Sequence, residues 1–286
     1  MSIKSFFKRK FRKKKPLYYL NDPEGLDFLD EELSKTNILG LDTEFDWRTT
    51  YFPKLSLIQI TANSKLFLID CMDVDASKIL KKYLENNFYL KVFHSVRSDA
   101  TVLSKCLNIN TLNVFDIQVA DRLLQNSDVR SYGKIVKSFL GIELKKSETN
   151  SNWLKRPLSD NQIQYACEDV DFLLEIYSSQ KKKLKKQGNY NEVLSRSEQE
   201  AKLGNSSLKK LRLKKLKKKL SLKDQKIFLW REEMAEKDNV PPTYIVKDKY
   251  LKKLSKIKMK GEFSKKEIMK IIGNSRITEN FISEFS

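Results

Sequence analysis

A single histidine, His94, serves all 286 residues. Histidine-rich metal sites are therefore excluded, as are Ser-His-Asp triads that draw on a second histidine. Cysteine is nearly as scarce. Cys71, Cys106 and Cys167 are odd in number and widely spaced, each inside an apolar pattern. They form neither a zinc-type spacing nor a disulfide framework, so buried free thiols in a reducing compartment are expected. Gly (8) and Pro (6) are few, which removes fibrous and disordered compositions. No apolar run approaches the roughly 18–20 residues of a membrane span. The start, Met1-Ser2-Ile3-Lys4-Ser5-Phe6-Phe7-Lys8, lacks the apolar stretch of a secretory signal. A cytoplasmic protein is expected. Because this start is basic and free of acids, an organelle transit segment, a membrane-surface helix and a nucleic-acid-touching arm all stay open.

Positive charge is abundant: 56 Lys and Arg against 37 Asp and Glu, a formal +19. Such a surplus favours a polyanionic partner, nucleic acid or an anionic membrane. A Lys-, Ile- and Asn-rich composition also follows from an AT-rich genome, so charge alone does not decide. The basic residues come in blocks. Residues 1–15 form a basic tail, Lys181 to Lys186 is a second run, and Leu208 to Leu220 holds eight basic residues punctuated by Leu.

Between these blocks the periodicity alternates. Ile38-Leu39-Gly40-Leu41-Asp42, Leu55 to Ile60 and Leu66 to Asp70 read as three strands, and Lys91-Val92-Phe93-His94 as a fourth. Helical patterns occupy Ala76 to Asn86 and about 98–107, 116–125, 131–140 and 160–178. The first links are too short for helical crossovers, so strands one, two and three should be antiparallel neighbours in a mixed α/β sheet. The expected organisation is a tail (1–15), an α/β domain (16–180), a basic linker (181–220) and a small all-helical domain (221–286) broken at Pro241-Pro242.

Two-metal phosphodiester hydrolysis needs several carboxylates converging on ions about 3.5–4 Å apart. Three places put acids where a fold normally puts apolar residues. Asp42-Thr43-Glu44 follows an apolar strand, and the period of two sets both acids on one face. Asp99 follows the fourth strand, where it either caps the next helix or lines a site beyond the strand end. Tyr165 and Asp169 are i and i+4 on a helix that Ser159 and Gln162 would cap. Its core stripe is Ile163, Ala166, Val170, Leu173 and Tyr177. Asp171 points far round that helix and is the poorer candidate.

In this order the acids resemble the three exonuclease motifs of the DEDD superfamily. The surrounding residues are closest to ribonuclease D over roughly 17–180. The resemblance is carried by Leu41-Asp42-Thr43-Glu44-Phe45, Tyr51-Phe52-Pro53-Lys54-Leu55 and Leu57-Ile58-Gln59-Ile60 in the first region. Phe93-His94-Ser95, Ser98-Asp99 and Val114-Phe115-Asp116 carry the second; Trp153, Arg156-Pro157-Leu158, Gln164-Tyr165-Ala166 and Asp169-Val170 carry the third. Trp230 to Ala235, Asn239-Val240-Pro241, Val246-Lys247-Asp248 and Leu251 resemble one HRDC module, where ribonuclease D has two in tandem.

The resemblance implies a ribonuclease H-like mixed sheet with helices on both faces, followed by the HRDC-like domain. It implies that Asp42, Glu44, Asp99 and Asp169 hold two divalent ions, Mg²⁺ or Mn²⁺, with Asp42 bridging both. Tyr165 would orient the attacking water. The histidine subclass has His where this chain has Gln164, so the tyrosine subclass applies. The implied reaction is 3′→5′ release of 5′-mononucleotides from single-stranded RNA ends, with tRNA precursors as substrate and a monomer as the working form. Phe45, Tyr51 and Phe52 are offered as base-stacking residues and are equally read as core packing; His94 and Arg156 are offered as substrate contacts, against a positioned or buried histidine for the first and closure of the turn before Pro157 for the second. The alternatives are a DNA exonuclease of the same fold, a nucleic-acid-binding module without activity, and a basic membrane-surface protein.

Overall fold

The computed structural model describes residues 14–144, 148–257 and 261–286. Among the described residues six strands form one mixed sheet in the order β1-β4-β3-β2-β5-β6. Strands β2 (Ile38–Asp46), β3 (Lys54–Ala62) and β4 (Lys65–Asp70) pair antiparallel. The β3–β4 link is Asn63-Ser64, both at positive φ, the conformation a tight two-residue hairpin requires. β5 (Leu90–Phe93) runs parallel to β2, and β6 (Val114–Asp116) parallel to β5. An edge strand, β1 (Leu17–Leu20), pairs parallel with β4. The short strands β1 and β6, of four and three residues, were not expected from periodicity.

Helices cover both faces. α1 (Pro23–Ser34), α2 (Ser77–Leu84) and α3 (Arg97–Leu107) meet one face through Leu29, Leu33, Leu80, Ala100 and Leu103, against Leu39, Leu41, Ile58, Ile60, Phe67 and Ile69. The other face carries Val92 and Phe115 against α4 (Ile117–Gln125), α5 (Tyr132–Leu140) and α7 (Leu173–Lys186). Leu57 and Leu68 lie there too, under Ala166 of α6 (Asp160–Asp171). The alternation of 39/41 and 58/60 against 57 and 68 is the period-two rule at work. The helical pattern expected over 160–178 is two helices, α6 and α7, divided at Phe172 (φ −102°, ψ −7°).

The chain divides into two compact units: Met1–Asp46 with Lys54–Asn205, and Trp47–Pro53 with Ser206–Ser286. The basic linker expected over 181–220 is thus split. The lysine run at 181–186 is the solvated face of α7, whose Leu184 is fully buried. α8 (Tyr190–Asn205) follows and buries Val193, Ser197 and Ala201 in the first unit. An amphipathic helix with a lysine-rich outer face reads as a charge run unless the buried positions are weighed.

The second unit is helical: α9 (Leu208–Leu216), α10 (Leu222–Asp238), α11 (Pro242–Ile245), α12 (Asp248–Lys256), α13 (Gly261–Ile272) and α14 (Ser275–Phe285). Ser221 and Asp224 close a capping box at the start of α10. Its core is built on Phe228, Trp230, Leu254, Ile268 and Phe281. Tyr51 is fully buried in the same core, with its backbone N–H and that of Phe52 donating to Asn239 Oδ1 at 3.1 Å each. No helix among the described residues is long and apolar enough to cross a membrane.

Candidate active site

β2 passes through the middle of the sheet and carries Asp42 opposite Gln59 and Glu44 opposite Leu57 of β3. Leu41 and Thr43 point to the opposite face, so both acids face the layer that holds α6. The register breaks between Glu44 and Phe45, a bulge that bends the strand just past the acids. From above, α6 supplies Asp169. Its first turn is fixed by a reciprocal cap, Gln162 N–H to Ser159 Oγ at 3.2 Å and Ser159 N–H to Gln162 Oε1 at 3.0 Å. Ala166 and Val170 are buried, which turns Asp169 towards β2. One carboxylate oxygen from each of Asp42, Glu44 and Asp169 lies within 4.8 Å of the others.

Asp99 approaches from the α3 side. It is buried in the first turn of α3, and Thr43 Oγ1 donates to its Oδ1 at 2.7 Å. It is not the helix cap: Val96 holds that position, with no side-chain cap bond of its own. Asp42, Glu44, Asp99 and Asp169 line one cleft of about 400 Å³ together with Tyr165. Asp171 lies elsewhere, ion-paired with Lys15 at 3.0 Å. Asp169 lines the cleft and Asp171 does not.

Crowding these acids raises their proton affinity. Burial and then the charges of Asp99, Asp169 and Glu44 push Asp42 well above the carboxylate range. Burial, with Asp169 and Asp99 beside it, lifts Glu44 to about 9. Burial lifts Asp99 to about 7 against the opposing bond from Thr43. Asp169 also reaches about 7 through burial, opposed by a hydrogen bond from Tyr165. The cluster is therefore short of positive charge. Its donors are all carboxylate oxygens, the hard set that suits Mg²⁺ or Mn²⁺ and not a soft metal.

Tyr165 is half-buried, with its hydroxyl 3.3 Å from Thr149 Oγ1 and its ring 6.0 Å from that of Trp153. Burial and the charges of Asp169, Glu44 and Asp42 raise its pKa, so the phenol keeps its proton. Phe45 and His94 also line the cleft. His94 Nε2 lies 3.3 Å from the Arg130 carbonyl and 3.2 Å from Gln118 Nε2, and burial lowers its pKa, leaving the ring neutral.

Three residues offered as stacking or substrate contacts are placed elsewhere, and one of them, Phe52, packs edge-on against Tyr51 in the helical unit, ring centroids 5.1 Å apart. Tyr51 is fully buried in the helical unit, where the Arg212 guanidinium sits 4.8 Å over its ring, so its face is not available to a base. Arg156 forks onto Asp70 and donates to the Trp153 carbonyl at 2.7 Å and Ser56 Oγ at 3.1 Å. Those bonds close the turn before Pro157, the bland alternative for this residue. Other cleft residues were missed altogether. Thr43 and Thr149 carry no motif signal, and Tyr132, in the first turn of α5, reads as an ordinary core aromatic; its ring lies 5.5 Å from His94.

Residues 18–185 match the family model of a 3′-5′ exonuclease, and residues 225–271 that of the HRDC domain. Ribonuclease D of Desulfotalea psychrophila is 30% identical over 248 residues, 84% of this chain and 66% of that protein. Ribonuclease D of Bartonella henselae is 31% identical over 251 residues, 85% of this chain and 61% of that protein. The chain thus spans somewhat less than two thirds of the length of these curated relatives. The fold matches the crystal structure of Escherichia coli RNase D, described as an exoribonuclease involved in structured RNA processing. The TM-score is 0.82 at 22% identity, covering 93% of this chain and 73% of that one.

Proposed function

The chain belongs to the 3′-5′ exonuclease family and carries an HRDC domain, and from that premise we propose that it is a metal-dependent 3′→5′ exoribonuclease. It removes 5′-mononucleotides from single-stranded RNA 3′ ends, with tRNA precursors as its substrate class, as a cytoplasmic monomer. The observation that carries this reading is the convergence of Asp42, Glu44 and Asp169 within 4.8 Å, with Asp99 and Tyr165 lining the same cleft. The ribonuclease D relatives favour RNA over DNA.

Asp42, Glu44, Asp99 and Asp169 would hold two divalent ions. Such ions supply a water acidified to near neutral pH and an electrophile for the leaving 3′ oxygen. The protein's own groups do the rest. Tyr165, protonated, is a hydrogen-bonding guide for the attacking water and not a base. Thr149 and the Trp153 ring hold its phenol in place. Thr43 keeps Asp99 turned into the cleft. Phe45 offers an apolar face to the terminal nucleotide, and neutral His94 offers a polar contact without a charge. The lysine-rich faces of α7 and α9 provide salt-sensitive contacts to phosphates.

The test is a time course on 5′-labelled RNA with a 3′ hydroxyl, beside the matched DNA, with Mg²⁺, Mn²⁺ or chelator. A ladder shrinking from the 3′ end of RNA, lost in chelator and in Asp42→Asn, is expected. Faster loss of the DNA would shift the substrate class. Intact RNA and DNA with retained binding would leave a binding module.

A further inference from the structure

Asp116 ends β6 and is 2% exposed. Its carboxylate is unusual in what it holds. Oδ2 accepts the Val96 N–H at 2.9 Å, while Oδ1 accepts both the Ser95 N–H at 2.9 Å and the Gln118 N–H at 2.8 Å. The bond to Gln118 is an ordinary N-cap for α4. The other two cross to a different element, the turn that joins β5 to α3. Asp116 is itself fixed there, lying opposite Phe93 in the sheet and donating its own N–H to Ser197 Oγ at 2.9 Å.

That turn needs holding. Ser95 sits at φ +64°, a left-handed conformation that costs a non-glycine residue energy and persists only where its surroundings impose it. Val96, which follows, begins α3 with no side-chain cap on its own account. Asp99 lies in the first turn of that helix, and a helix rotates about 100° per residue. A small change in where α3 starts therefore swings Asp99 away from Thr43 and out of the cleft.

We propose that Asp116 is a positioning residue for the reaction: by clamping the Ser95-Val96 turn it fixes the start of α3, and so holds Asp99 where a divalent ion is bound. This rests on the metal-dependent nuclease assignment. A residue that only capped α4 would need one acceptor and would have no bearing on metal binding.

The experiment is calorimetric titration of the intact chain with Mn²⁺, run beside melting temperature and RNA kinetics. Asp116→Asn keeps the size and one carbonyl acceptor but loses the second oxygen. Its Mn²⁺ dissociation constant should rise about tenfold, the scale of outer-shell losses at metal sites. Activity should recover at high Mn²⁺, with KM for RNA unchanged. Ser95→Gly in the same background removes the penalty of the left-handed residue and should recover part of the loss. If Asp116→Asn does not fold, the double variant is compared with Ser95→Gly alone, and severalfold weaker Mn²⁺ binding is expected in the double. Unchanged Mn²⁺ affinity with a lowered melting temperature would make Asp116 a plain cap and overturn the inference. Wild-type protein that binds no Mn²⁺ at all would instead overturn the nuclease assignment.

Discussion

Asp70 and Asp42 are carboxylates of the same sheet, one ending β4 and the other midway along β2, and the protein treats them in opposite ways. Burial alone would raise Asp70, but it stays below the usual range because Arg156, Tyr19 and the Met72 N–H all donate to it. Asp42 meets three further acids, with no cation among the described residues to offset them, and it is raised well above that range. A carboxylate buried for architecture is given a partner from the chain. A carboxylate left short of positive charge, as Asp42 is, is one that a bound cation would stabilise.

Breaking each member of the pair separates the two uses. Asp42→Asn should cut turnover by about 10³-fold or more if the proposed metal chemistry holds, since it removes a central carboxylate of the acidic cluster. Yet it should raise the melting temperature in chelator, because one repelling charge is gone. Asp70→Asn should do the reverse. Losing one partner of a buried pair costs about 3 kcal/mol or more, visible as a lower denaturation midpoint, while Mn²⁺ affinity stays near wild type. If both variants lost stability equally in chelator, the contrast would collapse.

Tyr165→Phe is the next largest effect. A positioned hydroxyl contributes on the order of 10²-fold to proton handling and orientation, so turnover should fall by about that much with Mn²⁺ binding nearly unchanged. The pH dependence sharpens the comparison further. Asp99 and Asp169 near 7, and Glu44 near 9, hold protons in the folded, metal-free chain that the unfolded chain releases near pH 4. Their contribution to stability is thus present below about pH 4 and lost as pH rises through 7 and then 9. Melting in chelator should drop over that window, more gently in Asp42→Asn, and Mn²⁺ should flatten it. A melting temperature that rose from pH 6 to 9 in chelator would contradict the raised proton affinities.

How much of this was legible in the sequence depends on whether the signal was local. Asp42, Glu44 and Asp169 stand in regular elements, where a period of two or 3.6 fixes which side a residue faces. Asp99 was legible by its place after a strand, though not its bond to Thr43. What was hidden came from long-range packing. Arg156 carries the same charge whether it meets a phosphate or Asp70, 86 residues away. Tyr51 follows the first motif by a few residues, yet the β2–β3 link that carries it belongs to the helical unit. The boundary at 205/206 was masked because lysines on the outer face of α7 outweigh the buried Leu184 in any composition count.

The smallest effect tests the frame most closely. Asp171 is only two residues from Asp169, but two residues on a helix turn a side chain by about 200°. It pairs with Lys15 at 3.0 Å, with both side chains partly exposed, and Lys15 Nζ also donates to the Asp171 carbonyl at 2.6 Å. That second bond survives loss of the carboxylate. Asp171→Asn should therefore cost less than about 1 kcal/mol, as partly exposed pairs do, and change turnover less than about twofold, by the usual small effect of surface substitutions. Asp169→Asn beside it should abolish turnover while raising stability in chelator. Were the outcomes exchanged, α6 would present its other face to β2, and the division between the ion-paired carboxylates and the acidic cluster would have to be redrawn around Lys15.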